Sequence, residues 1–160
     1  MGKTTFILGV MLSLLFISGC GTSNNTSNDE TEWEPTEYED VNTLDGVTMH
    51  VKEGTVSAIG LTVILENSRE QGYTYGEYFS LEKKVEDHWV QVPITIDGDY
   101  GFNDIGYGLE PNGTSEWKVD WEWLYGSLDS GDYRIVKDIL DIKEPGDYER
   151  YYLAVEFTLD

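Results

Sequence analysis

Strict alternation of apolar and polar side chains is the feature that most constrains the fold of this chain. The clearest run is "EWKVDWEW", residues 116–123, in which four apolar side chains alternate with charged ones: Trp117, Val119, Trp121 and Trp123. A strand with this period of two places all four on one face. The same alternation recurs at 47–52, 61–66 and 151–159, and no window of ten or more residues shows helical periodicity. The pattern predicts an all-β protein.

Turn signals separate the alternating runs at the spacing that a β-sandwich needs. They lie at 66–72, at 86–88 before a strand at 89–92, at Asp97-Gly98, at 111–114 and at 129–132. The Asn112-Gly113 pair suits a turn because both residues accept a positive φ. About seven antiparallel strands in about 115 residues predict a β-sandwich.

Tyr133 follows Gly131-Asp132, where a tyrosine corner would lie. In that motif a tyrosine hydroxyl bonds back to the backbone at the start of a strand. A plain core or surface tyrosine fits the sequence equally well, so both interpretations stay open here.

The N-terminal residues resemble a bacterial lipoprotein signal. An apolar run at 6–17, too short for the roughly 20 residues of a bilayer span, ends in Ile17-Ser18-Gly19-Cys20. This resembles the lipobox, which implies a signal peptide at 1–19 and covalent diacylglycerol and N-acyl lipid on Cys20. An ordinary secretory signal or a buried free thiol is the alternative, and N-myristoylation lacks its Ser or Thr because residue six is Phe6. We expect lipid anchoring on the extracytoplasmic face of the cell membrane.

The segment after Cys20 predicts a tether. Residues 21–42 are Ser, Thr and Asn followed by "DETEWEPTEYED", with almost no aliphatic side chains. Such a composition buries too little surface to offset its ordering entropy. We therefore expect a flexible acidic tether at 20–42, with a reach of roughly 25 Å, and a folded domain at 43–160. A docking role for Trp33 and Tyr38 is the alternative.

Three stretches resemble a known family: "LTVILENSREQGYTYGEYFSLEKKVEDHWVQVP" at 61–93, "GYGLEPNGTSEWKVDW" at 106–121 and "YGSLDSGDYRIVKDI" at 125–139. They are similar to a bacterial immunoglobulin-like domain of Gram-positive lipoproteins, which also occurs as an appendage of membrane-embedded metallopeptidase sensors. The resemblance covers roughly 47–159 and implies an immunoglobulin-like β-sandwich. It implies no active site and no cofactor, and no peptidase follows the last predicted strand. Its markers are Tyr75, Gly76, Phe79, Leu81, Glu82, Lys83, Gly131, Tyr133 and Arg134.

Catalytic motifs are missing from the sequence. The two histidines are His50 and His88, and there is no Gly-x-Ser-x-Gly, His-x-x-x-His or Cys-x-x-Cys pattern. With 31 acidic residues, accidental carboxylate pairs are common, so a pair is no evidence for glycoside hydrolysis. We expect no enzymatic activity, and a small hydrolase is a minor alternative.

One loop carries the oxygen ligands that calcium prefers. The stretch "DGDYGFND" contains Asp97, Asp99, Asn103 and Asp104. An EF-hand loop starting at Asp97 needs a bidentate carboxylate at its twelfth position, where Gly108 stands. A solvated acidic loop is the competing interpretation.

Tyrosines flank this loop and could form a binding surface. Tyr73, Tyr75 and Tyr78 cluster before it, and Tyr100 and Tyr107 lie on either side of its last acidic residues. Aromatic rings beside carboxylates could bind a sugar or a peptide, and tyrosines also anchor protein interfaces. The alternative is that several are half-buried strand residues.

The formal net charge of −21 argues against nucleic acid as a partner, because phosphates would be repelled. Cationic peptides or cation-rich protein surfaces would be attracted, although the charge could serve solubility alone. We expect a non-catalytic binding or sensing accessory at the cell envelope that acts by protein–protein interaction. The alternative is a cell-wall polymer, glycan or peptide, bound through Tyr73, Tyr75 and Tyr100.

Overall fold

The computed structural model describes residues 32–160, which form nine strands and one short helix. The fold is the predicted all-β immunoglobulin-like sandwich. The strand count exceeds the expected seven because two strands have only three residues, too few to show an alternation. The elements are β1 (Val47–Val51), β2 (Gly60–Asn67), β3 (Tyr73–Tyr75), β4 (Ser80–Val85), β5 (His88–Gln91), β6 (Tyr107–Leu109), β7 (Thr114–Asp120), α1 (Glu122–Tyr125), β8 (Gly131–Glu144) and β9 (Asp147–Leu159).

Two antiparallel sheets make up the sandwich. The smaller has the order β1-β2-β7, and the larger has the order β5-β4-β8-β3-β6 with β9 also paired to β8. β8 is the longest strand: β4 pairs with its first half, β3 meets it at Leu140, and β9 pairs along nearly all of it. The larger sheet therefore has β5 and β6 as edge strands on one side of β8 and β9 on the other.

The core lies between the two sheets and is built from the alternating faces that the sequence predicts. Val63 and Leu65 of β2, Val119 of β7 and Leu153 of β9 are buried in it. The prediction for Trp123 is wrong. β7 ends at Asp120, and α1 follows, so the alternation stops there and the Trp123 side chain is 42 % exposed.

Two of the predicted turns contain residues with a positive φ. Glu86 and Asp87 both have positive φ, 48° and 68°, in the turn between β4 and β5, and Asn112 has a φ of 50°. The Tyr133 hydroxyl donates a hydrogen bond of 3.0 Å to the Asp129 carbonyl. This is the bond of a tyrosine corner, and it anchors the turn that enters β8.

The chain before β1 crosses the outer face of the larger sheet. We call residues 33–42 the N-terminal strap. At the β5 edge, the Gln91 amide donates to the Glu34 carbonyl (2.7 Å), and the Thr36 amide donates to the Trp89 carbonyl (3.1 Å). Midway, the hydroxyls of Tyr38 and Ser80 lie 2.7 Å apart. The strap thus covers the unpaired edge of β5 and part of the sheet behind it.

At the far side, the strap ends on β9. The Asn42 amide nitrogen Nδ2 donates to the Ala154 carbonyl (3.0 Å), and the Ala154 amide donates to Asn42 Oδ1 (2.9 Å). The strap therefore bonds to both β5 and β9, which are edge strands of the larger sheet, and such cover is a common protection against edge-to-edge association.

The predicted tether at 20–42 needs correction for residues 33–42, which are attached to the sheet. Trp33 packs against the core, and the Tyr38 ring lies 4.9 Å from that of Tyr152. These long-range contacts offset the ordering entropy that the polar composition alone could not. Cys20 and its preceding residues Ile17, Ser18 and Gly19 lie outside the described residues.

A buried ion pair lies beneath the strap. Arg134 Nε donates to Glu82 Oε2 at 2.5 Å, a second guanidinium nitrogen donates to the Thr36 hydroxyl at 3.0 Å, and the guanidinium carbon is 4.7 Å from the Trp89 ring centroid. The Glu82 side chain is fully buried, and its other oxygen has no hydrogen-bond partner among the described residues. The strap and Trp89 close this pair off from water.

Candidate functional site

A long segment without helix or strand lies between β5 and β6, at 92–106. Together with α1 it carries several exposed or half-buried apolar side chains. Long loops held on a rigid sheet are frequent carriers of function. We call this surface the aromatic end and define it by Tyr78, Ile94, Tyr100, Phe102 and Trp123.

Ring contacts connect the aromatic end to the core. Buried Phe79 lies 5.5 Å from half-buried Phe102, which lies 5.4 Å from Tyr78 and 5.6 Å from Trp123, all edge to face. Such pairs add to burial through their ring quadrupoles. Tyr78 and Trp123 are thus held in place through Phe102 by the sandwich itself, which lowers the entropy cost of using them in binding.

A hollow of about 260 Å³ opens beside these rings. Tyr78, Ile94, Tyr100 and Phe102 line it, with Tyr125 at its base. Burial raises the pKa of the Tyr125 hydroxyl well above its ordinary value, so this group is neutral at physiological pH. Its lining combines aromatic and aliphatic side chains with polar groups, and Glu37 of the strap is the charged residue of that lining.

A second depression, of about 470 Å³, lies on the other side of Tyr78 and Phe102. We call it the acidic groove. Apolar and charged side chains share its lining, which includes Glu77, Asp104, Ile105, Asp138, Ile142 and Arg150.

Hydrogen bonds fix the acidic groove from below. Lys137 Nζ donates to the Tyr78 carbonyl (2.5 Å) and to Asp138 Oδ1 (2.7 Å), and it lies 5.1 Å from the Trp117 ring centroid. Burial lowers the pKa of Lys137, while Asp138 acts in the opposite direction. The ammonium group joins β8 to the loop that carries Tyr78, so both walls of the groove are held together.

Glu77 is positioned by a neighbouring tyrosine. The Tyr107 hydroxyl donates a hydrogen bond to the Glu77 carboxylate, and this bond raises the pKa of Tyr107. The carboxylate keeps free acceptor positions, since each of its oxygens has two lone pairs.

The predicted tyrosine platform is wrong in two of its members. Tyr73 and Tyr75 are 4 % and 3 % exposed, because both lie on the core-facing side of β3. The Tyr75 hydroxyl lies 2.6 Å from that of Ser115 inside the sandwich. Neither ring can stack on a ligand. Tyr78, Tyr100 and Tyr107 are exposed, and Tyr78 and Tyr100 line the same hollow.

The structure does not gather the candidate calcium ligands. Among residues 32–160, no group of three or more His, Cys, Asp or Glu side chains is placed to hold a metal ion. The carboxylates of Asp97, Asp99 and Asp104 therefore do not converge, and Asn103 and Asp104 instead line the acidic groove.

The two histidines lie on different sheets and do not belong to one common site. His50 is exposed on β1 in the smaller sheet, and His88 is exposed at the start of β5 in the larger one. In the described part of the chain, no helix is long and apolar enough to cross a membrane.

Sequence reasoning missed several residues of these surfaces: Glu77, Ile94, Phe102, Ile105, Trp123, Asp138, Ile142 and Arg150. The available signal was apolar residues inside a turn-rich stretch, as in the three isoleucines at 94, 96 and 105. Placing them required knowledge of which loops the sheets bring together.

The comparison with models of protein families shows which family this chain belongs to. A model described as a bacterial Ig-like domain matches residues 43–158. The chain belongs to this family. The match begins directly after the strap, covers the sandwich up to the last residue but one of β9, and agrees with the fold. Bacterial Ig-like domains are generally non-catalytic. Searches of curated proteins and of solved structures gave no match.

Proposed function

We propose that this bacterial Ig-like domain protein is a non-catalytic binding module at the cell envelope. In this proposal, lipid on Cys20 holds it on the extracytoplasmic face of the membrane, and it contacts an envelope protein through the aromatic end. The observation that carries the proposal is the group of exposed aromatic side chains at the aromatic end: Tyr100 is 47 % and Trp123 is 42 % exposed, and Tyr78 and Trp123 both contact Phe102.

Exposed aromatic side chains in so acidic a protein indicate an interaction site. Contiguous apolar surface on a soluble domain marks an interaction site more often than chance, and Trp and Tyr dominate interface hot spots. A net charge of −21 keeps the rest of the surface well solvated. Ring contacts to Phe102 restrict Tyr78 and Trp123 before binding, so little rotamer entropy remains to be lost.

The lipid anchor and the strap together would limit where the domain works. Residues 21–32 separate Cys20 from the strap, and a chain of that length spans at most roughly 40 Å. Because the strap begins at the β5 edge, the attachment point of the domain would be at that edge. A partner would be met within this distance of the membrane, at a raised effective concentration.

Crosslinking in living cells, followed by purification and mass spectrometry, tests the proposal. We expect one partner at near-stoichiometric yield from the lipidated protein and none from a secreted Cys20→Ser form. A double variant, Tyr100→Ser with Trp123→Ser, should lose that partner. Its matched control, Val56→Ser with Ile59→Ser, changes two exposed apolar residues of the segment between β1 and β2 and should keep it.

Recovery of the partner from the aromatic-end variant at undiminished yield would reject the aromatic end as the contact surface. Recovery of wall fragments alone would reject a protein partner. Thermal unfolding of each purified variant shows whether any loss of binding comes from a loss of folding.

A cell-wall glycan or peptide is the second candidate ligand. The observation that favours it is that exposed Tyr78 and Tyr100 line one hollow together with Glu37, so a ring could stack while a carboxylate accepts hydrogen bonds. Co-sedimentation with purified cell wall separates this candidate from the first. Wall binding that is lost in Tyr100→Ser would favour the glycan or peptide.

A further inference from the structure

We propose that the acidic groove binds an extended segment of a partner protein in which lysine or arginine residues flank an aliphatic side chain. This inference rests on the proposed function in taking the protein as a binding module. It adds a second contact surface and names the chemistry of the segment that the surface accepts.

The shape of the groove suits an extended chain. One wall comes from the loop residues 76–78 and 102–106, and the other from the second half of β8 with Arg150 of β9. Ile105 and Ile142 project from the two walls and are 47 % and 50 % exposed, while Leu140 is half-buried in the lining. An aliphatic side chain placed between these residues would remove apolar surface from water on both sides.

The charge of the groove specifies what must flank that side chain. The described lining residues carry three carboxylates, those of Glu77, Asp104 and Asp138, and one guanidinium, that of Arg150. Asp138 already accepts from Lys137 at 2.7 Å and lies 3.9 Å from Arg150. Glu77 and Asp104 therefore remain as the acceptors for incoming cations, one on the loop after β3 and one on the loop before β6.

Other occupants are disfavoured by the same charges. A second copy of the chain would bring another −21 charges, and nucleic acid would bring phosphates, so both would be repelled. The strap also cannot reach this surface in its observed position, because its contacts are to Trp89, Ser80, Arg134 and β9 around residues 152–154. It covers one half of the outer face and leaves the half with the groove open.

Fluorescence anisotropy with labelled peptides tests the inference on the secreted Cys20→Ser form. The probe is Lys-Ile-Lys-Val-Lys-Ile-Gly, compared with a Glu-for-Lys version and with Lys-Gly-Lys-Gly-Lys-Gly-Gly. We expect saturable binding of the first peptide, none of the second, and at least fivefold weaker binding of the third. Equal affinity for the first and third peptides would overturn the aliphatic part of the proposal, and absence of saturable binding would overturn it altogether.

Two pairs of variants separate the groove from the general charge of the protein. Glu77→Gln with Asp104→Asn should weaken binding at least fivefold. The matched control, Glu86→Gln with Asp87→Asn, removes the same charge from the β4–β5 turn and should change binding less than twofold. Ile142→Ser should likewise weaken binding, while Ile59→Ser, in the turn before β2, should not. Equal losses in the groove and control variants would show that only net charge matters, and would reject the groove.

The inference and the proposed function fail in different ways. Loss of the crosslinked partner from the aromatic-end variant, together with no peptide binding in solution, supports the proposed function and rejects the groove. Peptide binding that depends on Glu77 and Asp104, with no partner recovered from cells, supports the groove and rejects the proposed envelope interaction.

Discussion

Removing the charge of Arg134 should lower the free energy of unfolding far more than a comparable change on the surface of the protein. Arg134 is the only hydrogen-bond donor to the Glu82 carboxylate among the described residues, and that carboxylate is fully buried. In an Arg134→Met variant the carboxylate would stay in the sandwich without a counter-charge. Breaking a buried pair in this way costs about 3–5 kcal/mol, which for a domain of this size lowers Tm by roughly 12–20 °C.

The double variant Glu82→Leu with Arg134→Met provides the decisive comparison. Both charges are then gone, so the desolvation penalty disappears and only the Thr36 hydrogen bond and the stacking on Trp89 are lost. Those two contacts are worth roughly 1–3 kcal/mol together. We therefore expect the double variant to be more stable than Arg134→Met, with a coupling of roughly 2 kcal/mol or more.

Urea unfolding of the secreted Cys20→Ser form, followed by tryptophan fluorescence, measures these differences. Arg150→Met is the matched control, because Arg150 is 43 % exposed and lies 3.9 Å from its carboxylate partner; it should cost less than about 1 kcal/mol. A loss below about 1 kcal/mol, or a double variant no more stable than Arg134→Met, would refute the reasoning.

Three further predictions follow from the packing of the sandwich and its strap. Gly60→Ala would place a Cβ 2.4 Å from the Val119 carbonyl oxygen, so it should lower the free energy of unfolding by roughly 1–3 kcal/mol through overpacking. In the same urea-unfolding assay the control Gly101→Ala, whose Cβ meets nothing within 4 Å, should be neutral. Equal effects of the two substitutions would contradict this account. Asn42→Ala removes both side-chain hydrogen bonds to Ala154, so hydrogen exchange at the Ala154 amide should accelerate at least tenfold. The control Asn103→Ala should leave that exchange rate unchanged. Unchanged protection in Asn42→Ala would mean that the strap does not hold the β9 edge. The hydrogen bond from Lys143 lowers the pKa of Asp141 below its reference value of 3.8, so the stability that Asp141 contributes is present above that pH and is lost as the pH falls through the lower folded pKa. Asp141→Asn should therefore flatten the dependence of Tm on pH below about 4, compared with the control Asp147→Asn. Parallel curves for the two variants would reject this contribution.

The fold followed from the sequence because its signals are local. Alternation on β2 and β9 requires one buried face whatever the sheet order, and the paired positive φ angles at Glu86 and Asp87 are a property of a short hairpin. The tyrosine corner at Tyr133 was left open because its bond to Asp129 spans only four residues but depends on the exact path of the turn.

The candidate sites were predicted less well because they depend on contacts between distant residues. Tyr73 and Tyr75 look like loop aromatics in the sequence, but β3 lies between β8 and β6 and turns both into the core. Trp123 looks like a core residue, but α1 interrupts the alternation and exposes it. In each case an element too short to have a period of its own decided which side chains face water.

By itself, the sequence determined the all-β sandwich, the faces of its long strands and its turns, because hydrophobic periodicity and backbone preferences act over a few residues. Only the tertiary structure decided that the strap crosses the sheet, through bonds such as Tyr38 to Ser80 and Asn42 to Ala154, which join residues 42 and 112 positions apart. It also decided that the aromatic end and the acidic groove lie on either side of Tyr78 and Phe102. The physical reason is that a polar or loop segment gains its order from partners far along the chain, and no local pattern records which partners those are.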